Sequence, residues 1–127
     1  PLLFDEGSIS LMSYTVETVL AEKLETLVSR GVTNTRPRDF YDVHTLWRLR
    51  GGECDPTTLR QAVEATCVKR GSVTRMAQWK QVLNEVVSDQ AMLALWAKYA
   101  KKNPYAAGVG LAQCCEDAKA ILSALSL

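Results

Sequence analysis

The sequence is poor in the residues that hold metals or build disulfide frameworks. Its 127 residues include one histidine, His44, and four cysteines, Cys54, Cys67, Cys114 and Cys115, with no C-x-x-C pair. A structural zinc site needs about four clustered ligands of these types, so we predict no metal ligands in this chain. Adjacent Cys114 and Cys115 cannot easily bridge each other, and no cysteine spacing repeats, so we predict four reduced thiols.

Long apolar runs and an excess of one charge are also missing. No run approaches the roughly 20 apolar residues that span a bilayer, and residues 1–6 lack the basic and apolar regions of a signal peptide. Fifteen Lys and Arg oppose 14 Asp and Glu, so any site for nucleic acid must be local. These absences predict a cytoplasmic protein with no membrane partner, and the composition predicts a single domain over residues 1–127.

The patterning that is present is mostly helical. Residues 8–14 alternate in the period-2 manner of a strand. Caps and apolar stripes predict helices over about 15–30, 38–50, 56–70 and 74–87, another after Ser88–Asp89, and a last one after Asn103–Pro104. The predicted fold is mainly α, with a strand in residues 1–14 and a bundle of about five to six helices over 15–127. The strand, which lacks ladder partners, is either the last strand of a sheet formed upstream of Pro1 or an extended arm.

A lysine lies on the apolar face of the first predicted helix. Stepping about 100° per residue from Val16 puts Lys23 at about 340°, inside the stripe that contains Leu20, Leu24 and Leu27. Two interpretations are open. The stem of Lys23 packs while its ammonium reaches water, or the cation faces a pocket.

An aspartate occupies a similar position on the second predicted helix. Counting from Phe40, Asp39 lies at about 260°, among apolar neighbours, and Asp42 at about 200°, nearer the outer face. Lys23 and Asp39 can therefore form a buried ion pair, or they can line a polar pocket that holds phosphate oxygens and a metal or hydroxyl. Asp39 can also serve only as a partner of the helix dipole.

The remaining polar residues carry weaker signals. His44 lies at the edge of the apolar stripe with no nucleophile nearby in sequence, so we predict a hydrogen-bonded core histidine. Residues 30–50 hold an arginine excess that fits either an RNA backbone or solvated helix ends. The residues in that run are Arg30, Arg36, Arg38, Arg48 and Arg50, against Asp39 and Asp42.

Two stretches carry a family resemblance. The stretch from Tyr14 to Leu24, with its A-E-K-L core, and the stretch from Arg36 to Asp42, with its R-x-R-D-x-x-D core, resemble the later motifs of the AbiEii/AbiGii-type nucleotidyltransferase toxins. Those proteins are the toxin halves of bacterial abortive-infection and toxin–antitoxin pairs, which act in phage defence. The resemblance is sharp over about residues 13–46. Beyond these residues only the helical pattern of the sequence is similar.

The resemblance implies a polymerase-β-like fold, a nucleoside triphosphate substrate, magnesium as cofactor, an acceptor such as the 3′ end of tRNA, and an antitoxin that acts separately. Lys23 and Asp39 match the family's later lysine and aspartate, which contact the triphosphate, and Asp42 is the reserve for that aspartate. The candidate catalytic residues are thus Lys23, Asp39 and Asp42. We add Arg36 and Arg38 as candidate nucleotide- or RNA-binding residues.

The earlier motifs of that family are missing. No glycine-serine loop followed by a D-x-D or D-x-E pair occurs in residues 1–127, and Thr26 replaces a small alanine of the lysine motif. Paired carboxylates hold the magnesium ions that polarise phosphoryl oxygens. We therefore expect the C-terminal portion of such an enzyme, inactive by itself, with magnesium bound mainly by an absent N-terminal half. The alternative is a stand-alone helical interaction or regulatory module in which Lys23 and Asp39 merely pair.

Overall fold

The computed structural model describes residues 15–127, and these residues are mostly helical. The seven α-helices are α1 (Val16–Arg30), α2 (Pro37–Arg50), α3 (Pro56–Arg70), α4 (Val73–Met76), α5 (Trp79–Ser88), α6 (Gln90–Lys102) and α7 (Leu111–Ala124). Short 3₁₀ turns occupy Gly31–Thr33, Gly51–Glu53 and Pro104–Ala106. The mainly α prediction is confirmed, with no strand between residues 15 and 127, and the predicted strand at 8–14 lies outside the described residues.

Local capping residues set several of the helix ends. Thr15, Asp55 and Asp89 each accept a hydrogen bond from a backbone N–H in the first turn of α1, α3 and α6. Gly31 ends α1 and Gly71 ends α3, both with a positive φ that favours glycine. The predicted limits of these helices are confirmed to within a residue or two, because each limit depends on residues that lie within one turn of it.

The prediction of one continuous helix over 74–87 is wrong. The chain bends between Met76 and Trp79, where the Gln78 N–H donates to the Arg75 carbonyl, only three residues back. The Trp79 indole N–H donates to the Leu127 carbonyl at 2.8 Å, which holds the start of α5 against the last residue of the chain. No glycine or proline marks the bend, so the sequence gives no sign of it. Because the chain divides there into α4 and α5, the described residues form seven helices and not the predicted five to six.

Helix α1 is the central element of the bundle. It packs against α2, α3, α4 and α5, and α7 packs against α2 and α5. Leu20, Leu24 and Leu27 of α1 are fully buried in the same core as Phe40 of α2 and Leu122 of α7. Among residues 15–127, no helix combines the length and apolar character needed to cross a bilayer.

Two acidic side chains of α1 connect it to α3. Glu25, 3% exposed, accepts a hydrogen bond from Arg70 Nη1 at 2.6 Å. Glu17 Oε2 accepts one from the backbone N–H of Asp55 at 2.7 Å, just before α3 begins. The Asp55 N–H stabilises the carboxylate and thereby lowers the pKa of Glu17.

Replacing Glu17 by glutamine should remove a pH-dependent part of the stability. Because the folded pKa of Glu17 is lowered, its contribution is fully present above the ordinary pKa of 4.5 and is lost as the pH falls through the folded value. We expect Glu17→Gln to lower the free energy of unfolding by about 1 kcal/mol at neutral pH, since the amide oxygen accepts the same bond without the charge. Urea unfolding of both proteins from neutral to acid pH should show the difference shrinking. A constant difference across that range would contradict the assignment.

Candidate functional site

The Lys23 ammonium lies between α1 and α2, where it meets a buried carboxylate. Its Nζ donates to Asp42 Oδ2 at 2.9 Å, and Arg38 Nε lies 3.7 Å from the other oxygen, Oδ1. The side chain of Lys23 is 16% exposed and that of Asp42 is 6% exposed, whereas Arg38 is open to solvent. Two cations of different accessibility therefore share one carboxylate.

The partner of Lys23 is Asp42, so the interpretation in which Lys23 pairs with Asp39 is wrong. The placement of Asp42 near the outer face of its helix is wrong as well, because Asp42 is as buried as Asp39. Helix α2 packs against α1, α6 and α7, so its buried face is wider than one apolar stripe and includes Asp42 beside Leu46. The angles counted from Phe40 centred the predicted buried face on the apolar residues and therefore left Asp42 outside it.

Asp39 holds together the loop that leads into α2. Its Oδ2 accepts a hydrogen bond from Asn34 Nδ2 at 3.2 Å, and its Oδ1 lies 3.7 Å from Arg36 Nη2. Asn34, 1% exposed, accepts in turn from the Arg36 backbone N–H at 2.7 Å. The sequence analysis missed Asn34, although asparagine often bonds to a backbone N–H two residues on.

A cavity of about 410 Å³ opens beside Asp42. Its lining includes Val16, Val19, Arg38, Tyr41, Asp42 and Tyr105. This volume lies in the range of small-molecule sites. The cavity therefore brings together Arg38 and Asp42 among the predicted site residues, with Lys23 bonded to Asp42, whereas Arg36 and Asp39 lie outside its lining.

Two tyrosines that the sequence analysis overlooked, Tyr41 and Tyr105, line the same cavity, and Tyr99 lies next to Tyr105. Tyr41 and Tyr105 have ring centroids 5.1 Å apart, and the hydroxyls of Tyr99 and Tyr105 lie 2.9 Å apart. Burial, together with the Tyr105 hydroxyl and the charge of Asp42, raises the pKa of Tyr99, so that its hydroxyl stays protonated. Tyr41 belongs to α2, Tyr99 to α6 and Tyr105 to a 3₁₀ turn, and no spacing in the sequence indicates that they meet.

His44 lies away from the lining of this cavity and connects α2 to α7. Its Nδ1 lies 2.5 Å from Asp117 Oδ2, and Gln113 Nε2 donates to Asp117 Oδ1 at 3.0 Å. Arg48 Nε also approaches Asp117, at 3.6 Å. The prediction of a hydrogen-bonded core histidine is confirmed.

Metal-binding and thiol chemistry have little support in residues 15–127. No three His, Cys, Asp or Glu side chains of that range gather as metal ligands would. The Asp42 carboxylate is already held by Lys23 and Arg38, an arrangement that disfavours a further cation there. All four cysteines are unpaired, and burial raises the pKa of Cys54 to about 11 and that of Cys114 and Cys115 to about 12, so these thiols stay protonated.

Removing one side of the Lys23–Asp42 pair should destabilise the fold more than removing both. Lys23→Met leaves the Asp42 carboxylate buried with only Arg38 nearby, and we expect a loss of about 3 kcal/mol in the free energy of unfolding. Adding Asp42→Leu removes the unpaired charge, so most of that loss should be recovered. Urea unfolding of the wild type and of both variants measures the two steps.

An exposed pair on α3 provides the control for this experiment. Arg60 Nε lies 3.4 Å from Glu64 Oε2, and both side chains are about half exposed. Arg60→Met with Glu64→Leu should change the free energy of unfolding by less than about 1 kcal/mol. If the Lys23→Met protein were no less stable than the double variant, the pair would not be a buried one.

Comparison with known proteins gives one match. A family profile, described as nucleotidyl transferase AbiEii toxin of a type IV toxin–antitoxin system, matches residues 1–122. No curated protein and no solved structure matches the chain. The matched range includes both stretches that carry the resemblance, which is thereby confirmed, and a toxin of such a system implies an antitoxin partner. The chain belongs to the AbiEii family of nucleotidyl transferase toxins.

Proposed function

We propose that this chain takes part in the transfer of a nucleoside monophosphate from a nucleoside triphosphate to an RNA acceptor such as tRNA, with pyrophosphate as the leaving group. The transfer is that of the toxin of an abortive-infection pair that acts in phage defence. The cavity beside Asp42 receives the triphosphate. The observation that carries the proposal is the convergence of Lys23 and Arg38 on one carboxylate at that cavity. We assign the activity to the cytoplasm and treat the chain as one helical domain.

The two cations suit a triphosphate because of the way they are held. In phosphoryl transfer the transition state spreads negative charge over the equatorial oxygens, so cations fixed beforehand lower its energy. Asp42 orients the Lys23 ammonium through a hydrogen bond before the substrate arrives, and it attracts the half-exposed Arg38 guanidinium at 3.7 Å. Lys23 supplies a compact charge, and Arg38 supplies a planar fork that binds two oxygens at once.

These contacts divide the predicted site residues into separate roles. Lys23 and Arg38 bind phosphate, and Asp42 positions Lys23 by a hydrogen bond and keeps Arg38 close by charge attraction. Asp39 and Arg36 support the loop before α2, since their polar groups bond to each other and to Asn34. The functional aspartate in this proposal is therefore Asp42.

The tyrosines beside the cavity give it a place for the base of the nucleotide. Tyr41 and Tyr105 line the cavity together with Arg38. Stacking of a base on an aromatic ring contributes roughly 1–3 kcal/mol and tolerates any base, since every base has a π-face. The phosphate contact of Arg38 and the base contacts thus lie within one cavity, and Lys23 adjoins it through its bond to Asp42.

Magnesium is the cofactor that this family suggests, and residues 15–127 do not fit it. That range contains no group of three metal-ligating side chains, and Asp42 is occupied by two cations. The proposal therefore assigns phosphate contacts to Lys23 and Arg38 and gives neither these residues nor Asp42 a metal to hold.

The double variant Lys23→Met with Asp42→Leu tests the proposal. It should remain folded yet lose at least about 100-fold of the transfer rate, because the oriented cation is gone. The measurement uses the protein as its gene encodes it, with α-labelled nucleoside triphosphates and tRNA, and follows label in the RNA and growth arrest on induction. The variant Arg60→Met with Glu64→Leu is the control and should retain full activity. Unchanged transfer and growth arrest in the folded Lys23/Asp42 variant would instead favour the non-catalytic interaction module.

Nucleotide binding by the 127-residue chain gives a second test. Because residues 15–127 supply phosphate contacts and no cluster of metal ligands, we expect weak binding of ATP whose affinity does not change when magnesium is added. We also expect no turnover by this chain alone. Isothermal titration with and without magnesium measures the affinity, and tight magnesium-dependent binding would contradict the proposal.

A further inference from the structure

A second concavity, at the C-terminal end of α1, is lined by arginines from three helices. Its volume is about 570 Å³, and its lining includes Arg30 of α1, Arg70 of α3 and Arg75 of α4. Glu25 is the one acidic side chain that residues 15–127 contribute to this lining. Three guanidinium groups against one carboxylate leave a local charge of +2, in a chain whose net charge is +1.

Two of these arginines form no ion pair with any of the described residues. Arg70 donates to Glu25 at 2.6 Å, while Arg30 and Arg75 have no carboxylate partner in residues 15–127. The other arginines of the run at 30–50 are engaged: Arg36 with Asp39, Arg38 with Asp42, Arg48 with Asp117 and Arg50 with Glu53. The fold thus separates the arginines that are close together in residues 30–50. Arg30 instead lies in the same concavity as Arg75.

The backbone of Gly31 makes room for Arg75. A Cβ at Gly31 would lie 2.8 Å from Arg75 Nη2 and 3.0 Å from Val82 Cγ1, so the guanidinium packs closely against the Gly31 backbone. Ser72, also in the lining, has a buried hydroxyl with no hydrogen-bond partner among the described residues. The concavity therefore contains a half-buried, positioned cation and an unsatisfied polar group, which a solvated helix end does not require.

A stripe along α1 connects this concavity to the cavity beside Asp42. Val19, Lys23, Thr26 and Arg30 recur at the i, i+4, i+7 and i+11 positions of one helix face, and all four are partly or fully accessible. Val19 lines the cavity, and Thr26 and Arg30 line the concavity. From Val19 to Arg30 the helix rises by roughly 16 Å, about five nucleotides of a stacked strand.

We infer that the Arg30–Arg70–Arg75 concavity binds backbone phosphate of the RNA acceptor while the end of that strand reaches the cavity beside Asp42. Guanidinium forks match phosphate oxygens in geometry and charge. We take an RNA strand rather than an acidic peptide as the occupant because the two sites lie roughly 16 Å apart along one face of α1, a span that about five stacked nucleotides cover. This inference rests on the proposed function for its acceptor, but binding at the concavity requires no chemistry.

Binding of a fluorescein-labelled single-stranded RNA of mixed sequence tests the inference. Fluorescence anisotropy with the 127-residue chain, across a series of KCl concentrations, gives the dissociation constant and its salt dependence. We expect Arg30→Gln with Arg75→Gln to weaken binding at least about tenfold at low salt and to reduce the slope of log K against log[KCl] by roughly 0.7 for each phosphate released. ATP binding should be unchanged, because the cavity beside Asp42 is intact.

The exposed Lys101 and Lys102, at the end of α6, provide the matched control. Changing both to glutamine removes the same charge and should leave RNA affinity within about twofold and its salt slope unaltered. The single variant Arg30→Gln, at an exposed position, should show part of the loss without disturbing the packing of Arg75. Equal losses in the arginine and lysine variants would overturn the inference. So would Arg30- and Arg75-dependent binding of labelled poly-glutamate with no such dependence for RNA.

The two proposals fail in separable ways. Loss of RNA affinity in the Arg30/Arg75 variant, with transfer retained in the Lys23/Asp42 variant, would leave an RNA-binding site without the proposed chemistry. Transfer lost in the Lys23/Asp42 variant, with RNA affinity unchanged in the Arg30/Arg75 variant, would keep the proposed function and reject this site.

Discussion

The arrangement of this bundle depends on charged groups that its central helix carries into the interior. Glu17, Lys23 and Glu25 of α1 all lie where water is scarce, and each needs a partner, since an unpaired buried charge is costly. The partners come from different elements: the backbone before α3, Asp42 of α2, and Arg70 at the end of α3. Satisfying the three groups fixes how both neighbouring helices lie against α1, beyond what apolar packing alone requires.

Ion pairing also divides the arginines of the described residues into two kinds. Those whose charge is matched by a nearby carboxylate, such as Arg36 and Arg50, add little to the field around the molecule. Arg30 and Arg75 are not matched within residues 15–127, and the fold brings them together from different helices. The chain can therefore be nearly neutral overall and still present a strongly cationic spot.

Sequence reasoning succeeded where the determining residues are close together in the chain. The ends of α1 and α3 follow from Thr15, Gly31, Asp55 and Gly71, each within one turn of the end that it sets. The family, too, could be assigned from two short stretches. The bend at residues 77–78 could not be predicted, because no glycine or proline marks it and Trp79, just after it, bonds to the distant Leu127.

The candidate site also shows that sequence reasoning fails where contacts join residues far apart in the chain. An angular projection correctly placed Lys23 on the inner side of α1, but it wrongly put Asp42 nearer the outer face than Asp39. Both aspartates lie on the wide face that three helices cover. The tyrosines beside the cavity and the grouping of Arg30 with Arg75 depend on contacts between separate elements. A single sequence contains no signal for such contacts when the residues involved are individually ordinary.

The two adjacent thiols of α7 have a further consequence. Cys114 and Cys115 point about 100° apart on the helix, yet neither has any surface exposed, so α7 is enclosed over a broad arc by its neighbours. Alkylating reagents attack the thiolate and need access, and both conditions fail while α7 is docked. The rate at which these sulfur atoms are labelled therefore measures how often α7 undocks, and it reports the opening of the bundle without an engineered cysteine.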